Sequence, residues 1–410
     1  MKTKFGHVTY CSNIHLGESW KEHWKELKTY LPKIKKQVSP DTPFALGLRL
    51  SNQASIELLQ KENLKAWKNW MEQESLYIVS INGFPFGGFH TDVVKENVYL
   101  PDWSKEERLD YTIRLFSLLK EVLPAGEEGG VSTPPLSYSF FDSNDLEKKQ
   151  RRQICTKNII RILVHLIHVK IETNQTLHLD IEPEPDGVLG TFFDFIRWYE
   201  EELIPTALPI LSETFGTTSE IGKQIILDHI RLCLDVCHLA VSFEMNPFLF
   251  SELNRTGIKV GRMQVSSALK VRFENQPNEI LELLKPFDEK KYLHQVISSL
   301  PDGTKVSYRD LGFAIEHGAT PKEEWRIHFH VPIFLKSYGT FSSTQEELLF
   351  GLEEQKKSPF TNLLEIETYT WGVLPSSLHM PLEASITREI QWLQSVLGIF
   401  PGESGSVNEG

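Results

Sequence analysis

Short apolar and β-branched runs recur along this chain, and a stretch with helical apolar spacing follows almost every one of them. Runs at 5–11, 44–50 (FALGLRL), 76–82 (LYIVSIN), 129–136, 177–181, 230–235, 259–266 (KVGRMQVS) and 363–369 (LLEIETY) predict eight strands. Most are apolar without alternation, which marks strands buried on both faces, as in a parallel sheet. Helical spacing predicts helices at about 18–37, 54–73, from 104 onward, 148–173, 191–203 and 382–397. Ser104-Lys105-Glu106-Glu107 has the spacing of a capping box at the start of the third. Strand and helix alternating eight times predict an α/β fold of the (β/α)8, or TIM-barrel, type, because right-handed crossovers close such a sheet naturally.

The stretch 268–362 interrupts the alternation between the seventh and eighth strands. It holds a helical pattern at 278–299, a turn at Gly303 and an alternating segment at 325–334, WRIHFHVPIF. We expect it to be an excursion that caps the barrel mouth. No Pro-, Gly- or Ser-rich linker and no internal repeat divides the chain, so a single domain is expected over 1–400, with a disordered tail at 401–410 (PGESGSVNEG).

Barrel enzymes carry their sites at the C-terminal ends of the strands. Here the fifth strand ends in Glu182 and Glu184, the sixth in Asp235 and His238, the seventh in Gln264, and the eighth in Glu365 and Glu367. Carboxylates brought together repel one another unless a cation sits between them, so the pattern predicts a divalent metal. Taken alone, Asp235 and His238 also fit a helix cap with a histidine packed against it. Alternation puts Glu182 on one face with Asp180 and Glu184, and Glu367 on one face with Glu365, so parity does not choose among them. Glu182 and Glu367 are favoured because each follows an isoleucine and opens the turn into a loop. An oxygen-rich set suits Mg²⁺ or Mn²⁺, and an imidazole shifts the preference toward Mn²⁺, Co²⁺ or Zn²⁺.

His328 and His330 lie two apart and point to one side of an extended segment, as a second ligand set, as substrate donors or as the packed inside of a hairpin. After Asn82 comes GFPFGGFH, whose phenylalanines, Phe86 among them, either wall a pocket or pack a tight loop on the rim; the loop ends at His90. Asn13 and His15 are lesser candidates. No dinucleotide fingerprint, Walker A or nucleophile-elbow motif occurs.

Composition narrows the partners. A formal charge of −12 over 410 residues argues against a broad nucleic-acid footprint, leaving a small molecule as the expected ligand. Four cysteines read as reduced thiols. With no apolar leader and no membrane-length apolar run, the sequence points to a cytoplasmic protein without a membrane span.

I-E-P at 181–183, L-D-x-x-H at 234–238 and I-E at 366–367 resemble, in that order, the metal-binding strand ends of the xylose-isomerase-like TIM barrels. That superfamily includes sugar isomerases, sugar epimerases and endonuclease IV. More closely, NGFPFGGFH, VKENVYLPDW, LDIEPEPDG, LDVCHLAV, RIHFHVPIF and LEIETYTW, spread from 82 to 371, resemble the EboE family of metabolite-traffic proteins. The resemblance implies that Glu182, Asp235 and Glu367 bind Mn²⁺, Zn²⁺, Mg²⁺ or Co²⁺, with His238 near metal or substrate. It places Gln264 where the superfamily usually has a histidine; an amide oxygen is a weaker ligand, and His328 or His330 is then the expected substitute. Asn82, Phe86, Glu184 and His90 fall to substrate binding or accessory roles. The implied chemistry is sugar or polyol isomerisation or epimerisation, with Glu182 and Glu367 relaying a proton next to a carbonyl. A non-catalytic metabolite-binding or trafficking protein, and an endonuclease IV-like hydrolase of damaged DNA, are the alternatives. Operon-encoded partner proteins in secondary-metabolite handling are a further implication.

Overall fold

A computed structural model describes residues 1–89, 93–274, 276–372, 374 and 380–399. The eight barrel strands are Gly6–Tyr10, Phe44–Arg49, Leu76–Asn82, Gly129–Thr133, Leu177–Ile181, Ile230–Asp235, Val260–Val265 and Leu363–Ile366. They lie in one sheet in the order one, eight, seven, six, five, four, three, two, each paired parallel to its neighbour, and Lys2–Thr3 adds a short antiparallel strand to strand one. Strands one and two meet to close the ring through a parallel bridge at Cys11 and Gly47. Thr9 supplies missing rungs: its hydroxyl donates to Ala45 O (2.6 Å) and accepts from Gly47 N (3.1 Å). The fold is a TIM barrel, with helices packed on the outside through Leu27, Leu31, Trp67, Leu115 and Leu163.

Element types follow the local patterns, and the exceptions have local causes. The region 54–73 is two helices, Asn52–Leu58 and Lys61–Gln73, with Gln60 between them. Ser104 does not form a capping box. Its N–H and hydroxyl both go to Asp102 Oδ1 (2.9 and 2.5 Å), and the helix starts at Glu106. The reciprocal box occurs instead at Ser19 and Glu22. The expected helix at 278–299 stops after Leu284, where Pro286 ends it by removing a backbone donor, and Val296–Ser299 is a strand.

Between strands seven and eight the chain builds a six-stranded antiparallel sheet with its own apolar core, centred on Leu269, Trp325, Ile327 and Phe329. Its strand Glu324–His330 carries a register irregularity between Ile327 and His330. Ile327 and Phe329 point into that core, while His328 and His330 meet the barrel mouth through His238 Nε2 (3.1 Å from His328 Nε2) and Glu367 O (2.7 Å from His330 Nδ1). The tail 401–410 lies outside the described residues.

Beneath the mouth the barrel interior is ionic rather than aliphatic. Arg262, fully buried, donates to Asp180 Oδ2 (3.0 Å) and Glu365 Oε1 (3.3 Å), and Ser80 donates to Glu365 Oε2 (2.5 Å). A buried carboxylate without such a partner would cost several kcal/mol. Backbone must come close for the network to fit: a Cβ on Gly261 would lie 1.9 Å from Asp180 Oδ1, and one on Gly47 2.3 Å from Glu365 Oε2. Gly261→Ala is therefore expected to lower unfolding free energy by about 2–3 kcal/mol. Gly87→Ala, where the nearest atom is 3.6 Å away, should change it by less than about 0.5 kcal/mol. Urea unfolding of both variants tests the contrast, and equal midpoints would show that the network yields freely.

Candidate metal centre

Each strand that supplies Arg262, Asp180 or Glu365 presents, two residues on and one layer higher, Gln264, Glu182 or Glu367. Glu182, Asp235 and Glu367 are more than nine-tenths buried, and each offers one oxygen within 4.8 Å of the others. Asp235 caps a helix with one oxygen and leaves the other free. Its Oδ1 accepts the His238 N–H (3.1 Å) and the Ser266 hydroxyl (2.8 Å), capping the helix Val236–Val241, while Oδ2 has no partner and belongs to the carboxylate cluster. Glu367 Oε1 accepts from the amides of Asn13 (2.7 Å) and Asn82 (3.0 Å), which fix its orientation. Gln264 Nε2 lies 3.4 Å from Glu182 Oε2.

Burial, then Glu367, Asp235 and Glu184, push the Glu182 carboxyl well above its ordinary range. Burial, Asp235 and Glu365 do the same to Glu367, while Arg262 below draws both down. Such a cluster holds protons or a cation; bare, it repels itself.

Three imidazoles form the facing wall. Each donates through Nδ1 to an oxygen that can only accept: His238 to Pro183 O (3.1 Å), His328 to Gln295 Oε1 (2.7 Å) and His330 to Glu367 O (2.7 Å). Gln295 Nε2 donates to Pro185 O (3.0 Å), which settles the direction of that amide. Burial lowers the pKa of all three, so the rings are neutral and Nε2 of each carries a lone pair. His238 Nε2 and His328 Nε2 then face each other lone pair to lone pair at 3.1 Å, a contact that needs a proton or a metal between them.

Buried polar atoms normally have partners. Among the described residues, Asn13 Oδ1, Glu184 Oε2, Asp235 Oδ2, Gln264 Oε1 and His330 Nε2 have none, and all belong to this cluster or its wall. Unsatisfied oxygens and imidazole nitrogens at one place are the donor set of a divalent cation, so the residues fit the metal that the strand ends suggest.

Beside the cluster is a partly open cavity of about 60 Å³. Its far side is aromatic: Phe89, Tyr292 and Tyr369 pack together at centroid distances of 5.1–5.4 Å, Tyr369 edge-on to the other two, and Phe84 adjoins them. Glu184, His238, His328, His330 and Asn82 all line this space. Phe86 does not; it packs on Tyr111 at 5.0 Å. His15 bonds Tyr10 OH (2.8 Å) away from the cavity, and His90 lies outside the described residues. Tyr292, Tyr369 and Arg262 do not stand out in the sequence, because an aromatic or charged residue in an apolar run is too common a signal.

A second buried acid gives a test away from the cluster. Glu389, on the helix Leu382–Leu397, accepts from Thr368 Oγ1 (2.7 Å) and Ile333 N (3.2 Å), and burial pushes its pKa up to about 8. With the folded value raised, its contribution to stability is complete below the ordinary glutamate range and is lost as pH rises through about 8. Glu389→Gln is expected to unfold less readily than the parent at pH 9, by an amount on the order of a few kcal/mol, with the difference narrowing toward pH 5. Thermal unfolding across that range would show parallel curves if Glu389 were ionised throughout.

No family model matches the chain, and no curated protein matches it. Several solved structures do. One described as IolI protein with a binding zinc atom is 11% identical, with 96% of this chain and 98% of that one covered and a TM-score of 0.49. A xylose isomerase-like TIM barrel protein from Mycobacterium smegmatis in complex with magnesium is 10% identical, with 95% of each chain covered and a TM-score of 0.47. A D-tagatose 3-epimerase-like protein is 14% identical, with 70% of this chain and 88% of that one covered and a TM-score of 0.35. Likenesses at this level carry no inference about the site, which rests on the geometry above. Among the described residues no helix is long and apolar enough to cross a membrane.

Proposed function

We propose that this protein is a divalent-metal-dependent isomerase or epimerase that moves a proton next to a carbonyl of a small sugar- or polyol-like ligand. One observation carries the proposal: three buried carboxylates from different strand ends converge, with unsatisfied donors around them, on a small cavity at the barrel mouth. Glu182, Asp235 and Glu367, with Gln264 Oε1, would hold the ion, which supplies charge stabilisation for an enediolate. Glu182 and Glu367 hold and deliver the proton. Asn13 and Asn82 hold Glu367 in place, and the Phe89, Tyr292 and Tyr369 rings keep bulk water out. The sequence resemblance to xylose-isomerase-like barrels supports the same reading.

Solvent-deuterium incorporation next to the carbonyl of candidate ketoses, aldoses and ketopolyols, followed by NMR with Mn²⁺- or Zn²⁺-loaded protein, tests it. Exchange is expected for the true ligand class. A ligand that binds tightly and never exchanges would favour the second reading, a protein of metabolite traffic that binds without converting. That reading draws on the EboE resemblance and on the neutral amide of Gln264, which makes the carboxylate set a weaker metal site than one with imidazole. The charge of −12 speaks against a nucleic-acid substrate.

A further inference from the structure

His328 and His330 fall into more than one group of possible ligands. His330 is within ligand distance of Asp235 and His238. One nitrogen of each ring and the Cys237 sulfur also lie within 4.8 Å of one another, and all three side chains are more than nine-tenths buried. Cys237 is held in place from two sides. Its N–H donates to Ser266 Oγ (2.9 Å), the same hydroxyl that donates to Asp235 Oδ1, and Val241, Ala268 and Ile297 pack around the side chain. His330 Nε2 has no partner, and its Nδ1 is tied to Glu367 O, so that nitrogen is an oriented donor with nothing to bind.

We propose that Cys237, His328 and His330 form a second metal site, for a thiophilic divalent ion of the Zn²⁺ and Co²⁺ class. It rests on the metal-centre reading but differs from it in ligand chemistry. Sulfur and imidazole select borderline-soft ions, whereas the carboxylate triad suits hard ones, so the mouth sorts two ions by donor type. His238 Nε2, 3.1 Å from that of His328, is the nearest fourth donor. Binding forms a metal–sulfur bond from the thiol's electron pair, and the S–H proton leaves to solvent, as does a proton shared by His238 and His328 when the metal takes the His328 lone pair. At least one proton is therefore expected per ion taken up at this site, and one fewer from Cys237→Ser.

The experiment is a Co²⁺ titration of chelator-treated protein with excess Mg²⁺ present to fill the carboxylate triad. The expected result is a near-ultraviolet thiolate-to-cobalt band with release of at least one proton. Cys237→Ser should lose the band. Cys233→Ser and Cys155→Ser should keep it, because Cys233 lies against Glu182 Oε2 (3.6 Å) and Cys155 is in the long helix Asp145–Thr173. Cobalt bound without the band, or a band lost in Cys233→Ser instead, overturns the Cys237 site while leaving the metal centre intact. No cobalt uptake with or without Mg²⁺ overturns both. Should Cys237→Ser fail to fold, X-ray absorption of the Co²⁺-loaded parent decides: sulfur in the first shell supports the site, and only nitrogen and oxygen sinks it.

Discussion

Asp235→Asn is expected to bind divalent metal at the carboxylate triad about 100-fold more weakly than the parent, and Asp235→Ala more weakly still. The two variants separate the two jobs of this side chain. Asparagine can still cap the helix Val236–Val241 through the oxygen that meets His238 N–H and Ser266, whereas alanine loses the cap at a cost of about 1 kcal/mol. In chelator, removing one of three crowded carboxylates relieves repulsion, so the Asn variant should unfold no more readily than the parent. With Mn²⁺ at about 100 times its dissociation constant, the parent should gain about 2.7 kcal/mol and the variant almost nothing. Calorimetric titration and thermal unfolding, with and without metal, read both effects. Equal metal affinity in parent and both variants would remove the carboxylate site.

Replacing Glu182 or Glu367 by Gln is expected to cut solvent-deuterium exchange into the bound ligand by about 10²–10⁴-fold, the usual contribution of a placed acid or base. Glutamine conserves shape, and at 367 its amide oxygen can still accept from Asn13 and Asn82, so the loss reports proton handling rather than collapse of the site. Because the two carboxyls serve one transfer, the double variant should be little worse than the more damaged single. Exchange rates, with metal content measured on the same samples, give the answer. Undiminished exchange in metal-loaded Glu182→Gln would remove the proton relay even if the ion stayed.

Much of this architecture is legible along the chain because strands buried on both faces are mostly apolar, as in IRLCL before Asp235, which only Arg231 interrupts. The exceptions have local causes, as when Asp102, two residues away, takes the Ser104 hydroxyl and leaves the helix at Glu106 without its cap. Parity could not choose between Glu365 and Glu367, and for a physical reason. Both point inward: Glu365 one layer down against Arg262 and Ser80, Glu367 at the mouth with Asn13 and Asn82. Phe86 illustrates the converse, since a loop phenylalanine near a site can equally pack outward, here on Tyr111.

Local periodicity was enough to set the number and order of the barrel strands and to place carboxylates at strand ends, because burial of each face is a property of neighbouring residues. Closure of the barrel and docking of the second sheet decided the rest. They bring His328 to within 3.1 Å of His238 across ninety positions of sequence, and they put Tyr292 and Tyr369 on one wall. They also leave one oxygen of Asp235 capping a helix while the other stays unsatisfied in the cluster. Such convergence depends on contacts between segments that share no periodicity, so no local pattern can encode it.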